Sequence, residues 1–105
     1  MLFMLKWSEK PQGSPSAYDD AQKRILALFS HWDVGPDVTI HQFLTRVGTF
    51  SGYMVVETSD LANLHRISTI YSTFKVEIEP VIDVTTATKV GAEGVHMREQ
   101  LLQRH

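Results

Sequence analysis

The chain has no cysteine. Disulfides, thiolate metal ligands and cysteine nucleophiles are excluded, and disulfide-dense secreted scaffolds go with them. Glycine is scarce, with six in 105 residues, and no phosphate-loop or dinucleotide fingerprint is built from it. Gly48-Thr49-Phe50-Ser51-Gly52 is not a nucleophile elbow, because no glycine stands two places before the serine. Neither sign of charge dominates: ten Lys and Arg face twelve Asp and Glu, for a net charge of −2. The basic residues are scattered, so nucleic acid is not an expected partner. Long apolar runs are missing too. Met1 to Leu5 is broken by Lys6, whereas a signal core needs about 7–15 apolar residues and a membrane span ~20. The expectation is a cytoplasmic protein that does not enter the membrane.

What remains is ordinary globular material, 43% hydrophobic and 21% charged, in a chain sized for one core. Leu2 to Ser8 reads as a strand, with Phe3, Leu5 and Trp7 on one face and Leu2, Met4 and Lys6 on the other. Apolar groups on both faces mark a central strand. Glu9 to Ser16, with two prolines, is a loop, and Ser14 ahead of Pro15, or Ser16, caps the following helix. Tyr18, Ala21, Ile25, Leu28, Phe29 and Trp32 recur at helical spacing up to a stop at Asp33, Gly35 and Pro36. Val38 to Val47 and Phe50 to Thr58 read as strands joined by a tight hairpin at Gly48-Thr49. Ser59 or Asp60 caps a second helix with Leu61, Leu64, Ile67, Ser68 and Tyr71 on one stripe. Phe74 to Asp83 alternates as a strand, and Pro80 consigns it to an edge. The tail, 85–105, reads as an amphipathic helix carrying Val95, Met97, Leu101 and Leu102, set apart from a domain over 1–84.

The order β-α-β-β-α-β with right-handed crossovers predicts an α+β, ferredoxin-like sandwich. Its four-stranded antiparallel sheet has both helices on one face, and the C-terminal helix is an addition. Four strands make a sheet about 15–20 Å wide, which two helices cover on one side only. The first and third strands carry large apolar groups on both faces, Met4 against Leu5, and Met54 and Val56 against Tyr53 and Val55, so the second face needs its own cover. A second copy packing sheet against sheet, or the C-terminal helix folding beneath, would supply it. An apolar patch of ~600 Å² is worth on the order of 15 kcal/mol before association costs, which favours a homodimer through the open face.

Three stretches, Leu2-Phe3-Met4-Leu5-Lys6-Trp7, Gly52-Tyr53-Met54-Val55-Val56-Glu57-Thr58-Ser59-Asp60 and Phe74-Lys75-Val76-Glu77-Ile78-Glu79-Pro80-Val81-Ile82-Asp83, resemble a family of short uncharacterised proteins with the dimeric α+β barrel fold. The resemblance covers residues 1 to 84 and leaves the tail unmatched. Where that family has a glycine-rich hairpin, only Gly48 and Gly52 stand here. The resemblance implies a dimer, and a superfamily that includes oxygenases, isomerases, haem enzymes and ligand binders.

Five histidines are present, and no two share a chelating spacing on a strand or a helix. His31-Trp32-Asp33 lies at a helix end, where a histidine serves the last carbonyls. No metal and no cofactor are expected. His41 lies mid-strand, grouped by alternation with Thr39, Phe43 and Thr45, and is the candidate general base toward a ligand between sheet and helices. The alternative for it is a bond to a backbone carbonyl, or the dimer seam. Glu57, closing its strand, is the candidate acid, with the second helix's free N–H groups as its other partner. Trp7, Trp32, Tyr53 and Tyr71 are candidates to line an apolar pocket, and Arg46 to meet an anionic group. The readings are a small-ligand protein acting on apolar aromatic compounds, as a cofactor-free oxygenase or isomerase, against a non-catalytic regulatory or structural oligomerisation module.

Overall fold

The computed structural model describes residues 1–31, 33–70 and 73–103, apart from the side chains of Phe29 and His31. Trp32 and Tyr71 therefore lie outside the described residues. Alternation of apolar and polar side chains builds four strands, β1 (Leu2–Glu9), β2 (Val38–Thr45), β3 (Ser51–Thr58) and β4 (Phe74–Val81). Helical periodicity builds α1 (Pro15–His31), α2 (Leu61–Ile70) and α3 (Val84–Gln103). The sheet order is β2-β3-β1-β4, antiparallel at every pairing, which is the ferredoxin-like topology expected from the element order. β1 is central, and β4, which carries Pro80, is an edge.

The caps follow from side-chain chemistry. Ser14 Oγ accepts the Ala17 N–H at 3.2 Å, with Pro15 as the first helical residue of α1. Asp60 Oδ1 accepts the Ala62 N–H and Asp83 Oδ2 the Thr85 N–H, each at 2.9 Å, capping α2 and α3. The hairpin is longer than Gly48-Thr49 alone, because β2 stops at Thr45 and β3 starts at Ser51. Gly48 adopts φ +88° there, a backbone open to glycine at little cost.

One face of the sheet carries the core. Phe3, Leu5 and Trp7 of β1, Met54 and Val56 of β3, and Phe74 of β4 pack with Ile25 of α1 and with Leu64 and Ile67 of α2. Leu5 pairs with Met54 on one side and Ile78 on the other, so the layer is continuous across three strands. Ile82, within the span read as this strand from the sequence, falls beyond the end of β4 and is 62% exposed.

β2 departs from simple alternation. Ile40 pairs with Val56, but Gln42 pairs with Val55, so the register slips at His41. This β-bulge sends Phe43 to the core side opposite Met54, while Leu44 faces the other way opposite Tyr53. The grouping of His41 with Phe43 and Thr45 is therefore corrected. His41 shares the open face with Thr39 and Leu44, and Phe43 belongs with the core.

Among the described residues, α3 buries no residue and makes no extended contact with sheet or helices. An eight-residue strand spans about 26 Å and a twenty-residue helix about 30 Å, and the molecule measures 67 × 30 × 22 Å. The long dimension is reached by α3 running on past the end of the sheet. It does not cover the open face. No helix among the described residues is long and apolar enough to cross a membrane.

Candidate functional site

The structure separates the candidate residues onto two faces. Trp7 lies between sheet and helices, 8% exposed. Its indole meets Phe74, Phe43 and Phe50 edge to face, at ring-centre distances of 5.3, 5.9 and 6.0 Å. Two local features make room for it. Gly52 is its cross-strand partner, where any Cβ would overlap the Leu44 carbonyl oxygen and crowd the indole. The bulge in β2 supplies Phe43 as a wall.

Around this indole is a cleft lined by Leu5, Trp7, Phe43, Met54, Ile67, Phe74 and Val76, without a charged residue. Its enclosed volume is about 10 Å³, room for roughly one water. Phe43 is 39% exposed, so one wall of the cleft is itself a surface side chain. The Trp7 Nε1 hydrogen is buried without an acceptor. Glu9 Oε1 and Thr73 Oγ1 are likewise buried without partners. Glu9 pairs with Phe74 in the β1–β4 ladder, and the Lys10 N–H donates to the Thr73 carbonyl, so both residues stand at the Trp7 end of that ladder. Each unmet buried polar atom costs about 1–3 kcal/mol, which an incoming partner recovers.

Tyr53 does not join Trp7. It pairs with Lys6 and Leu44 on the open face, where Leu2, Met4 and Val55 are half-buried neighbours. His41 and Glu57 are brought together on the same face, Nε2 to Oε1 at 3.0 Å, with side chains 45% and 58% exposed. Glu57 thus partners the imidazole, not the N-terminus of α2. A histidine on this face cannot reach a ligand in the cleft, because the sheet lies between them. Arg46 sits in the hairpin, its backbone N–H donating to the Ser51 carbonyl at 2.8 Å, away from both groups.

Beside Glu57 is a shallow polar depression of about 180 Å³, lined by Met1, Pro36, Asp37, Thr39, Glu57, Thr58 and Ser59. Asp37 organises it. Its carboxylate accepts from Ser59 Oγ at 2.7 Å, Thr58 Oγ1 and Asn63 Nδ2 at 3.1 Å, and the Ser59 N–H at 3.2 Å. The Ser59 hydroxyl is the main cause holding this carboxyl below its ordinary range, with the Ser59 N–H and Thr58 adding to it and desolvation opposing. Asp37 was not singled out in the sequence. Its signal was the hydroxyl- and amide-rich run Thr58-Ser59-Asp60 with Asn63, which needs an acceptor from elsewhere in the fold. No group of three metal-ligating side chains occurs among the described residues.

A family model described as a domain of unknown function, DUF3303, matches residues 1–95, reaching further into α3 than the resemblance read from the sequence. No curated protein matches the chain.

Proposed function

We propose that this chain, which belongs to the DUF3303 family of domains of unknown function, is a homodimeric protein that binds a small, flat, apolar molecule between its sheet and its helices. The observation that carries this reading is the apolar cleft against the Trp7 indole, together with an indole N–H that lies buried behind its wall without an acceptor among the described residues. A flat ring bearing a carbonyl or similar acceptor answers both features. Stacking or edge contact with Trp7, Phe43 and Phe74 takes the ring, and the indole N–H takes the acceptor. The cleft is closed at about 10 Å³, so a ring enters as Phe43, the half-exposed wall, swings outward.

The reading is of binding, not yet of catalysis. The cleft lining holds no histidine, and His41 with Glu57 stands across the sheet. No acid or base lines the cleft, so oxygenase or isomerase chemistry on an apolar aromatic compound has no assigned residue there. Support for the homodimer comes from the half-buried Leu2, Met4, Tyr53 and Val55 on a sheet face that α3 leaves open. A second reading, a structural oligomerisation module, is favoured by the small volume of the cleft.

Thermal-shift measurement with simple aromatic acids and quinones separates the two. The ligand reading expects stabilisation by at least one such compound. It also expects Trp7 fluorescence quenching in a Trp32→Phe background, and loss of the thermal shift in Trp7→Phe, which removes the N–H and keeps a ring. Absence of any shift across the panel leaves the structural reading in possession.

A further inference from the structure

Among the described residues, α3 makes no extended contact with any other element of its own chain. None of its residues is buried, and Val90, Met97 and Leu101 are 54%, 61% and 57% exposed. Gly91 and Gly94 have nothing near the positions their Cβ atoms would take. Two glycines and several threonines make it a poor helix by propensity, and helices of this length in water draw most of their stability from packing. Something outside the protomer must supply that packing.

The spacing says what. Ala87, Val90, Gly94, Met97 and Leu101 follow steps of three and four residues, the a/d seam of a heptad. Glu93 then falls at a g position on one flank of the seam and Arg98 at the following e position on the other. Neither makes an ion pair among the described residues. In a parallel, in-register pair of identical helices, g of one faces e of the other five residues on. Glu93 meets Arg98 of the second copy twice by symmetry. In an antiparallel pair g faces g and e faces e, and this complementarity is lost. The seam is self-complementary in one orientation only.

We propose that α3 pairs with α3 of a second copy, parallel and in register, through the Val90-Gly94-Met97-Leu101 seam with Glu93–Arg98 pairs along its flanks. The inference stands on α3 alone and is independent of the ligand reading. Gly94 and Ala87 let the two helices approach closely. The seam is short, so it works best where another contact between the same two copies raises the local concentration of the arms.

The chain has no cysteine, which makes single-cysteine variants of the full chain clean reporters. Under mild oxidation, Met97→Cys and Leu101→Cys are expected to form disulfide-linked dimers rapidly. Ala92→Cys, on the opposite side of the helix, is expected to stay unlinked. Glu93→Arg in the Met97→Cys background should slow linking several-fold, and adding Arg98→Glu should restore it. Three results would overturn the proposal: no linking at 97 and 101, equal linking at 92, or Val90→Cys linking preferentially to Leu101→Cys in a mixture, the antiparallel signature. Linking that is indifferent to the charge reversals would remove the parallel register.

Discussion

Gly52 shows how much one missing methyl group decides here. Its place opposite Trp7, hard against the Leu44 backbone, leaves no space for a Cβ. The obstructing atom is a backbone carbonyl held in the ladder, so it cannot swing aside as a side chain would. Gly52→Ala is expected to destabilise the fold by about 2–4 kcal/mol, at or above the usual cost of overpacking. It should also loosen the Trp7 cluster. A denaturant midpoint and the near-ultraviolet circular dichroism of the indole read the two effects together. The same substitution at Gly13, where nothing lies near, should leave both unchanged.

Among the elements, the meeting of β2, β3 and α2 depends on one carboxylate. Asp37, just before β2, accepts from Thr58 at the end of β3 and from Ser59 and Asn63 at the start of α2. Its folded-state pKa is depressed, so its contribution is present above the unfolded value and is lost as pH falls through the folded one. Acid unfolding of the wild type is therefore expected to steepen below about pH 4. Asp37→Asn should lower stability at neutral pH and flatten that acid limb. A series of thermal melts from pH 3 to pH 7 measures both. The element order, the edge position of β4 and the buried centres of the helix stripes, Ala21 and Ile25 of α1 and Leu64 and Ile67 of α2, were legible in the sequence, because each rests on local periodicity and on one proline. Tyr18, Leu28 and Leu61, expected on those stripes, are exposed. The β2 bulge was harder to read. Val38, Ile40 and Phe43 step by two and then by three, and the polar pair His41-Gln42 between them was the only sign of the slip. Missing it moved His41 to the wrong face. The His41–Glu57 contact and the Asp37 cluster join residues 16 to 26 positions apart, which no local pattern announces.

For the whole molecule, the dimer reading turns on the open face of the sheet. Leu44 is 50% exposed there, and Leu2, Met4, Tyr53 and Val55 form a band around it. Val55→Glu puts a charge in the middle of that band while leaving the buried layer of β3, Met54 and Val56, untouched. The dimer reading expects this variant to remain folded by circular dichroism and to fall to a monomer of 11.9 kDa in light scattering. A wild type already monomeric at micromolar concentration would dispose of the sheet-face dimer. That apolar side chains stand on both faces of the sheet was visible in the strands, whereas the detachment of α3 was not. An amphipathic pattern tells which side of a helix wants burial but is silent on what buries it.

Both rims of the sheet are blunt. On β4, Pro80 withholds a donor, and Glu77 and Glu79 line the same strand; on β2 the slip at His41 breaks the row of backbone donors and acceptors. A stray strand would find no straight template on either side. Growth by lateral addition, the route to fibrils, is thereby blocked at both borders. What the molecule offers a neighbour is apolar side chains on a sheet face and along α3, not a bare strand edge.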